Sequence, residues 1–424
     1  MSVASSFERE VAHHLRHNLT FNIIDGTVWL FGISFVSTAT ILPVYVSHLT
    51  SSALLIGLIP ALESLGWYLP QLVTAPFVEG LKRVRPVLLA VSFFERVPFL
   101  LIGLVIWLFP ARAGDSSNLP LILFFLILGF RMFMSGISAI PWQEMIARVI
   151  PTRGRGRFFA AQRIGGGIAG LVGAAAAGEM LSQFAYPLNY ALCFVCAFGS
   201  AMVSWVCLSQ TREPVQHDTR PRPPFTRYLR DLPALLREDR NFTLYLAARA
   251  FGFLGQMATA FFAVHAVETF HLADAQAAVY SAILLGTSIV GSAVWGWLGD
   301  KRGQKLVLVV SSWFYVLALG LAWFSDTVEA YYAVFVLVGI ANAGWILSDL
   351  ALVMEFAPAA RRPTYMGVAR GILAPWVGLA PLLGGLLIGL AGYPAMIVIS
   401  VALTLAGVLL VSILVREPRW DPQK

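Results

Sequence analysis

Gly296-Trp297-Leu298-Gly299-Asp300-Lys301-Arg302-Gly303-Gln304-Lys305 is the stretch that decides how this chain is read. It joins two long apolar segments and has the form G-x-x-x-D-[RK]-x-G-x-[RK]. Small residues at Gly296 and Gly299 predict close approach of the helices that meet there. Asp300 suits the N-terminus of a neighbouring helix, where the backbone dipole favours an anion. Lys301, Arg302 and Lys305 suit the anionic surface of a cytoplasmic lipid leaflet. Together these residues describe a joint between membrane-crossing helices.

The composition around the joint agrees. Of 424 residues, 58% are hydrophobic and 12% charged, and the mean hydropathy is +0.74, values that exclude an ordinary soluble domain. Apolar stretches of about 20 residues, enough for roughly 30 Å of hydrocarbon, recur at 20–46, 53–78, 87–109, 119–148, 158–183 and 188–209. A second set follows at 242–268, 275–298, 305–324, 328–356, 364–390 and 393–415. These twelve stretches are numbered here as spans 1 to 12. The polar stretch 210–240, rich in Arg and Pro, separates two halves. The expected organisation is a segment 1–19, a first bundle 20–209, a linker 210–240, a second bundle 241–415 and a tail 416–424.

Charge sets the orientation, because short loops hold Lys and Arg on the cytoplasmic side. With the N-terminus inside, 23 of the 30 basic residues fall in inner segments and only Arg112 in an outer loop. Both termini are therefore expected in the cytoplasm, with the chain in the inner membrane. The net charge of +7 is accounted for by lipid headgroups rather than nucleic acid. Cys193, Cys196 and Cys207 all fall in span 6 and read as structural thiols. An internal repeat supports two halves: Asn18-Leu-Thr20 entering span 1 matches Asn241-Phe-Thr243 entering span 7, and Pro151, Arg155 and Arg163 have the spacing of Pro358, Arg362 and Arg370.

The run at 296–305 resembles the loop signature of the major facilitator superfamily. That resemblance implies an all-α integral membrane protein with twelve transmembrane helices in two pseudo-symmetric six-helix bundles, monomeric and working by alternating access. It further implies that spans 1, 4, 7 and 10 line a central cavity while 3, 6, 9 and 12 are peripheral. The first half departs from the pattern. Its corresponding run, Phe77-Val78-Glu79-Gly80-Leu81-Lys82-Arg83-Val84-Arg85-Pro86, keeps the cations but has no Asp, with Glu79 as the nearest acid. Arg131 with Gly136 loosely matches another motif of the superfamily, one residue too long.

No phosphate-cradling loop, metal-ligand spacing or soluble catalytic domain is evident, so ATP hydrolysis, enzyme activity and a cofactor are not expected. A proton or other ion gradient remains as the energy source. Ionisable residues within the bilayer are costly and are functional suspects by default. The substrate-binding or coupling candidates are Asp25, Glu63, Arg131, Arg249, Gln256, Asn342 and Asp349. Glu95 and Arg96, on span 3, rank lower as peripheral. Depth along the helices predicts pairing of Asp25 with Arg148 or Arg163, of Arg249 with Asp349, and of Arg131 with Glu63 or an anionic solute. Glu144, Glu355, Arg163 and Arg370 read as braces near the inner ends. Span 5, with glycines at 165, 166, 167, 170, 173 and 178, predicts close, sliding helix contacts, and its resemblance to a Gly-rich motif of superfamily exporters, here without the Pro, implies a slight lean toward export. The expected partners are a small-molecule solute, the ion gradient and membrane lipids. The competing reading is a relative that does not transport but delivers a hydrophobic ligand or pigment to a membrane complex.

Overall fold

The computed structural model describes residues 3–79, 81–110, 117–216, 235–357 and 362–418. Arg112, the linker arginines from Arg220 to Arg230, Pro358, Arg361, and the side chains of Glu79, Arg153, Arg155 and Arg362 lie outside what is described. Among the described residues every regular element is helical: α1 (Val3–Ser34), α2 (Ile41–Leu49), α3 (Ala53–Glu79), α4 (Arg85–Leu108), α5 (Leu119–Val149), α6 (Thr152–Gln183) and α7 (Leu188–Ser209). The second half holds α8 (Arg240–Gly255), a 3₁₀ turn (Gln256–Ala260), α9 (Phe262–Thr269), α10 (Ala275–Arg302), α11 (Gln304–Phe324), α12 (Val328–Phe356) and α13 (Arg362–Leu414).

Among the described residues ten helical segments are long and apolar enough to cross a membrane. One of them, α13, runs 53 residues. A straight helix of that length would measure about 80 Å at about 1.5 Å per residue, well over twice a bilayer core. Gly392, at φ 82, breaks it into spans 11 and 12. Span 1 is too polar to meet the same apolar test, because α1 carries Asn18, Asn22 and Asp25. Its residues form α1 and α2, with an interruption at 35–40. Span 7 is interrupted in turn by the 3₁₀ turn at Gln256–Ala260. The interruptions fall 17 to 22 residues after Asn18 and 15 to 19 residues after Asn241, at similar but not identical places in the two halves.

The chain divides into two compact units, residues 1–37 with 65–225 and residues 38–64 with 226–424. In the first, α6 lies against α1: a Cβ at Gly173 would come 2.6 Å from the Phe31 carbonyl oxygen, so only glycine permits this approach. Leu88, Met145, Ile146, Val149, Ile150, Phe158 and Leu208 form its buried apolar centre. In the second, α8 packs on α13, and a Cβ at Gly407 would lie 2.9 Å from the Ala248 carbonyl oxygen. The α2 helix belongs to this second unit. Thr40 there bonds Ser281, and His48 Nε2 lies 2.9 Å from Asp274 on the N-terminal side of α10.

The joint itself is shorter than a loop. Helix α10 continues through Arg302, α11 begins at Gln304, and the whole turn is Gly303 at φ 93. Its amide closes the helix end by donating to the Gly299 carbonyl at 3.0 Å. Lys301 packs its ammonium 4.2 Å from the centre of the Trp297 ring. The close approach expected at Gly296 and Gly299 takes another form. Gly296 faces open space, and a Cβ at Gly299 would meet the Gln304 side chain of the same joint. The second small position serves the turn rather than a partner helix.

Candidate functional site

In the first unit, α1, α4, α5 and α7 bring together a cluster of buried charges. Asp25, Glu95 and Arg96 are each exposed by only 4 to 5%. Arg96 donates Nε–H to the Ala201 carbonyl at 2.9 Å, Nη1–H to the Ser92 carbonyl at 2.8 Å and Nη2–H to Ser204 Oγ at 3.1 Å. Ser204 in turn donates to Asp25 Oδ1 at 2.6 Å, and Ser138 donates to Glu95 Oε2 at 2.7 Å. The guanidinium lies 4.0 Å from Asp25 and 3.7 Å from Glu95. Arg131, also buried, sets its guanidinium 4.4 Å from the Phe99 ring centre and shares the Trp29 indole with Arg96.

This differs from the sequence expectation in two respects. Asp25 meets Arg96 rather than Arg148 or Arg163, and the span 3 residues set aside as peripheral are buried against span 1. The reason is rotational. Helical depth fixes where a residue sits along the membrane normal, while the direction in which it points depends on how α4 turns against α1 and α7. Arg163 and Arg370 are exposed on their helices.

In the second unit, Arg249 and Asp349 meet as expected, with Nη2 donating to Oδ2 at 2.6 Å. The Tyr245 hydroxyl donates to Asp349 Oδ1 at 3.1 Å. Arg249 stacks its guanidinium 4.1 Å from the Phe253 ring centre, with Trp345 at 5.8 Å. Its Nε is buried and has no hydrogen-bond partner. Gln256 lies in the 3₁₀ interruption of span 7, donating weakly to the Gly252 carbonyl at 3.4 Å, and Asn342 is exposed on α12. Glu63, exposed on α3, accepts from Thr38 Oγ1 at 2.6 Å.

A further pair of sites escaped the sequence reading. Glu213, just beyond α7, is buried and accepts from the Val84 and Arg85 amides at 2.8 Å, capping α4. Arg148 Nη1 reaches the same carboxylate at 3.1 Å, while its Nε donates to Glu144 at 2.9 Å. Glu417, just beyond α13, likewise accepts from the Lys305 amide at 3.2 Å, at the start of α11. Asn18 and Asn241 complete the pattern. Each exchanges two hydrogen bonds with a backbone, Asn18 with Arg212 and Asn241 with Arg416, at 2.8 to 3.1 Å. The available signal was the tripeptide Arg-Glu-Pro, which occurs at 212–214 and again at 416–418.

The sequence matches the Major Facilitator Superfamily at residues 24–289 and 245–424. The chain belongs to the Major Facilitator Superfamily. Crystal structures of other superfamily-type transporters share its fold. The nucleoside transporter NupG is 13% identical, with a TM-score of 0.69 over 93% of this chain and 97% of that one. A D-xylose-proton symporter, also 13% identical, gives 0.70 over 96% and 99%. The peptide transporter POT, 11% identical, gives 0.70 over 95% of each chain. At such identities the likeness is one of fold. In sequence, a gentisate transporter of Corynebacterium glutamicum is 32% identical over 101 residues, which is 24% of this chain and 23% of the relative. The match thus spans about a quarter of that protein's length. As a member of the superfamily the chain is a multi-pass membrane protein.

Proposed function

We propose that this chain is a secondary active transporter that carries a small organic acid across the inner membrane by alternating access, coupled to protons. The observation that carries the reading is the burial of Asp25, Glu95, Arg96, Arg131 and Arg249 inside membrane-crossing helices, where charge is costly unless it serves a purpose. The termini and the 210–240 linker lie in the cytoplasm. Arg131 and Arg249, each beside aromatic rings, suit a solute with a carboxylate and a flat apolar body. Similarity to a gentisate transporter over a quarter of the chain supports the same solute class. Asp25, Glu63 and Asp349 are the acids assigned to coupling, with Gln256 and Asn342 as polar solute contacts. Lys301, Arg302 and Lys305 hold the inner joint against the lipid surface.

The test is counterflow in liposomes containing the purified chain, with labelled gentisate and a panel of aromatic and aliphatic carboxylates, with and without a pH gradient. Exchange of at least one carboxylate, and its accumulation only under the gradient, is the expected result. Absence of exchange for every carboxylate, or accumulation indifferent to the gradient, defeats the reading.

A further inference from the structure

We infer that His14 and Arg212 form a pH-sensitive latch, closed while His14 is neutral, which ties the extension of α1 before span 1 to the strap 210–213 and, through Glu213, to the inner end of α4. The contact stands on its own geometry. Only the compartment it senses, the cytoplasm, rests on the orientation proposed above.

The donors decide the matter. Arg212 Nη1 lies 3.3 Å from His14 Nδ1. A guanidinium carries donors and no acceptor, so this bond exists only while Nδ1 offers a lone pair. A proton on Nδ1 removes the acceptor and sets two cations against each other. The contact belongs to a row that laces one face of α1 to the strap. His17 Nε2 donates to the Gln210 carbonyl at 2.9 Å, Asn18 exchanges two bonds with the Arg212 backbone, and Asn22 donates to Thr211 Oγ1 at 3.0 Å. A proton breaks none of those three, because asparagine does not titrate and a doubly protonated imidazole still donates from Nε2. The strap ends on Glu213, which accepts from the Val84 and Arg85 amides and from Arg148.

The second half supplies the contrast. Arg416, held by Asn241 as Arg212 is held by Asn18, is the counterpart of Arg212. Counted from the two asparagines, His14 falls on Arg237, which has nothing to accept with. The clamp is duplicated and the imidazole is not, so holding the strap does not require it. The groups facing His14 are Glu10, His13 and His17 on α1 and Arg212 on the strap. Partial loss of water around the ring, then the neighbouring His13 and Arg212, lower its pKa from the ordinary histidine value, against the pull of Glu10. A lowered pKa means that the folded contact favours the neutral ring. The latch therefore holds above the ordinary histidine range and opens as the pH falls through the lowered value.

Hydrogen exchange of the purified chain in lipid, with each amide corrected for its intrinsic rate, reads the latch without any solute. From about pH 7.5 to about pH 5, which brackets the histidine range, the amides of residues 11–18 and of Val84 and Arg85 should lose protection by about two- to tenfold, the range for one hydrogen bond. Those of residues 241–246, at the clamp of the second half, should not change. His14→Asn puts an amide oxygen in the place of Nδ1 and does not titrate, so its protection should be the same at both pH values. Arg212→Gln donates to a neutral ring and accepts from a charged one, and should be equally indifferent. A parent indifferent to pH, or an acid loss that persists in either variant, overturns the inference. Loss at residues 11–18 without loss at Val84 and Arg85 overturns the reach to α4. Should His14→Asn be open at both pH values, Arg212→Gln decides alone. Labelling of an Asp218→Cys variant in intact cells would reverse the compartment that is sensed, while the exchange data still decide the latch.

Discussion

Replacing Asp349 by Asn tests whether the second unit depends on its ion pair. Arg249 has a side chain only 3% exposed, Asp349 one 26% exposed, and they meet at 2.6 Å. Removing one member of a fully buried pair typically costs about 3 to 5 kcal/mol, because the other charge is left without compensation. Here two features reduce the figure. The Asp349 side chain is only partly buried, and Arg249 keeps the face of Phe253 at 4.1 Å, a contact worth about 1 to 2 kcal/mol when partly desolvated. The expected loss is about 2 kcal/mol, or a fall in melting temperature of roughly 4 to 8 °C for a unit of this size. Arg249→Met alone should cost a similar amount, and the double variant little more than either, giving a coupling energy near 2 kcal/mol. The assay is thermal unfolding of all four proteins in one detergent. Losses in the double variant that equal the sum of the two single losses would refute an energetic pair, whatever the distance between the atoms.

Glu213→Gln should destabilise the inner end of the first unit by about 2 to 4 kcal/mol, since two α4 amides and the Arg148 guanidinium lose an anionic acceptor; thermal unfolding checks it, and a shift below 2 °C contradicts it. Gly303→Ala forces an L side chain to φ 93 with its Cβ 2.6 Å from Glu417, at a cost of about 1 to 3 kcal/mol, and should also slow exchange of any carboxylate that the counterflow assay identifies. Asp218→Cys in the linker should react with an impermeant maleimide only after the cells are opened, and labelling of intact cells would reverse the proposed orientation.

Crossing segments were legible because hydropathy is a local property: any stretch that must lie in lipid has to be apolar along its own length. The pair Arg249–Asp349 was legible because its members lie at equal depth on spans that already had to be neighbours. Other parts depended on information that a single chain does not carry in order. Asp25 found Arg96 because α4 presents that side chain toward α1 and α7, a rotation that no periodicity in span 3 announces, since its apolar residues surround the helix. Glu213 reads as one more charge of a polar linker until the fold brings it under the α4 terminus. The interruptions at 35–40 and 256–260 carry neither the Pro nor the Gly run that usually marks a broken span, although Gly255 precedes the second. The joint at 296–305 was read correctly as a turn between helices, yet its essential feature was the positive φ of Gly303 rather than the smallness of Gly296.

The internal repeat bears on whether the buried charges are architecture or function. Asn18 and Asn241, Glu213 and Glu417, and Pro151 and Pro358 mark equivalent places in the two halves. Measured from those landmarks, and from Arg85 and Lys305 whose amides the two glutamates hold, Asp25 corresponds to Ala248, Glu95 to Tyr315, Arg96 to Val316 and Ser204 to Val408. In the opposite direction, Arg249 corresponds to Gly26 and Asp349 to Trp142. The clamps that hold each bundle together are thus duplicated, and the charges at Asp25, Glu95, Arg96, Arg249 and Asp349 are not. A charge needed to pack the six-helix unit would be required twice, as the Asn and Glu clamps are. Ala248, Tyr315 and Val316 demonstrate that the second bundle packs at the same positions without one. The charges at these places therefore answer a demand that differs between the halves.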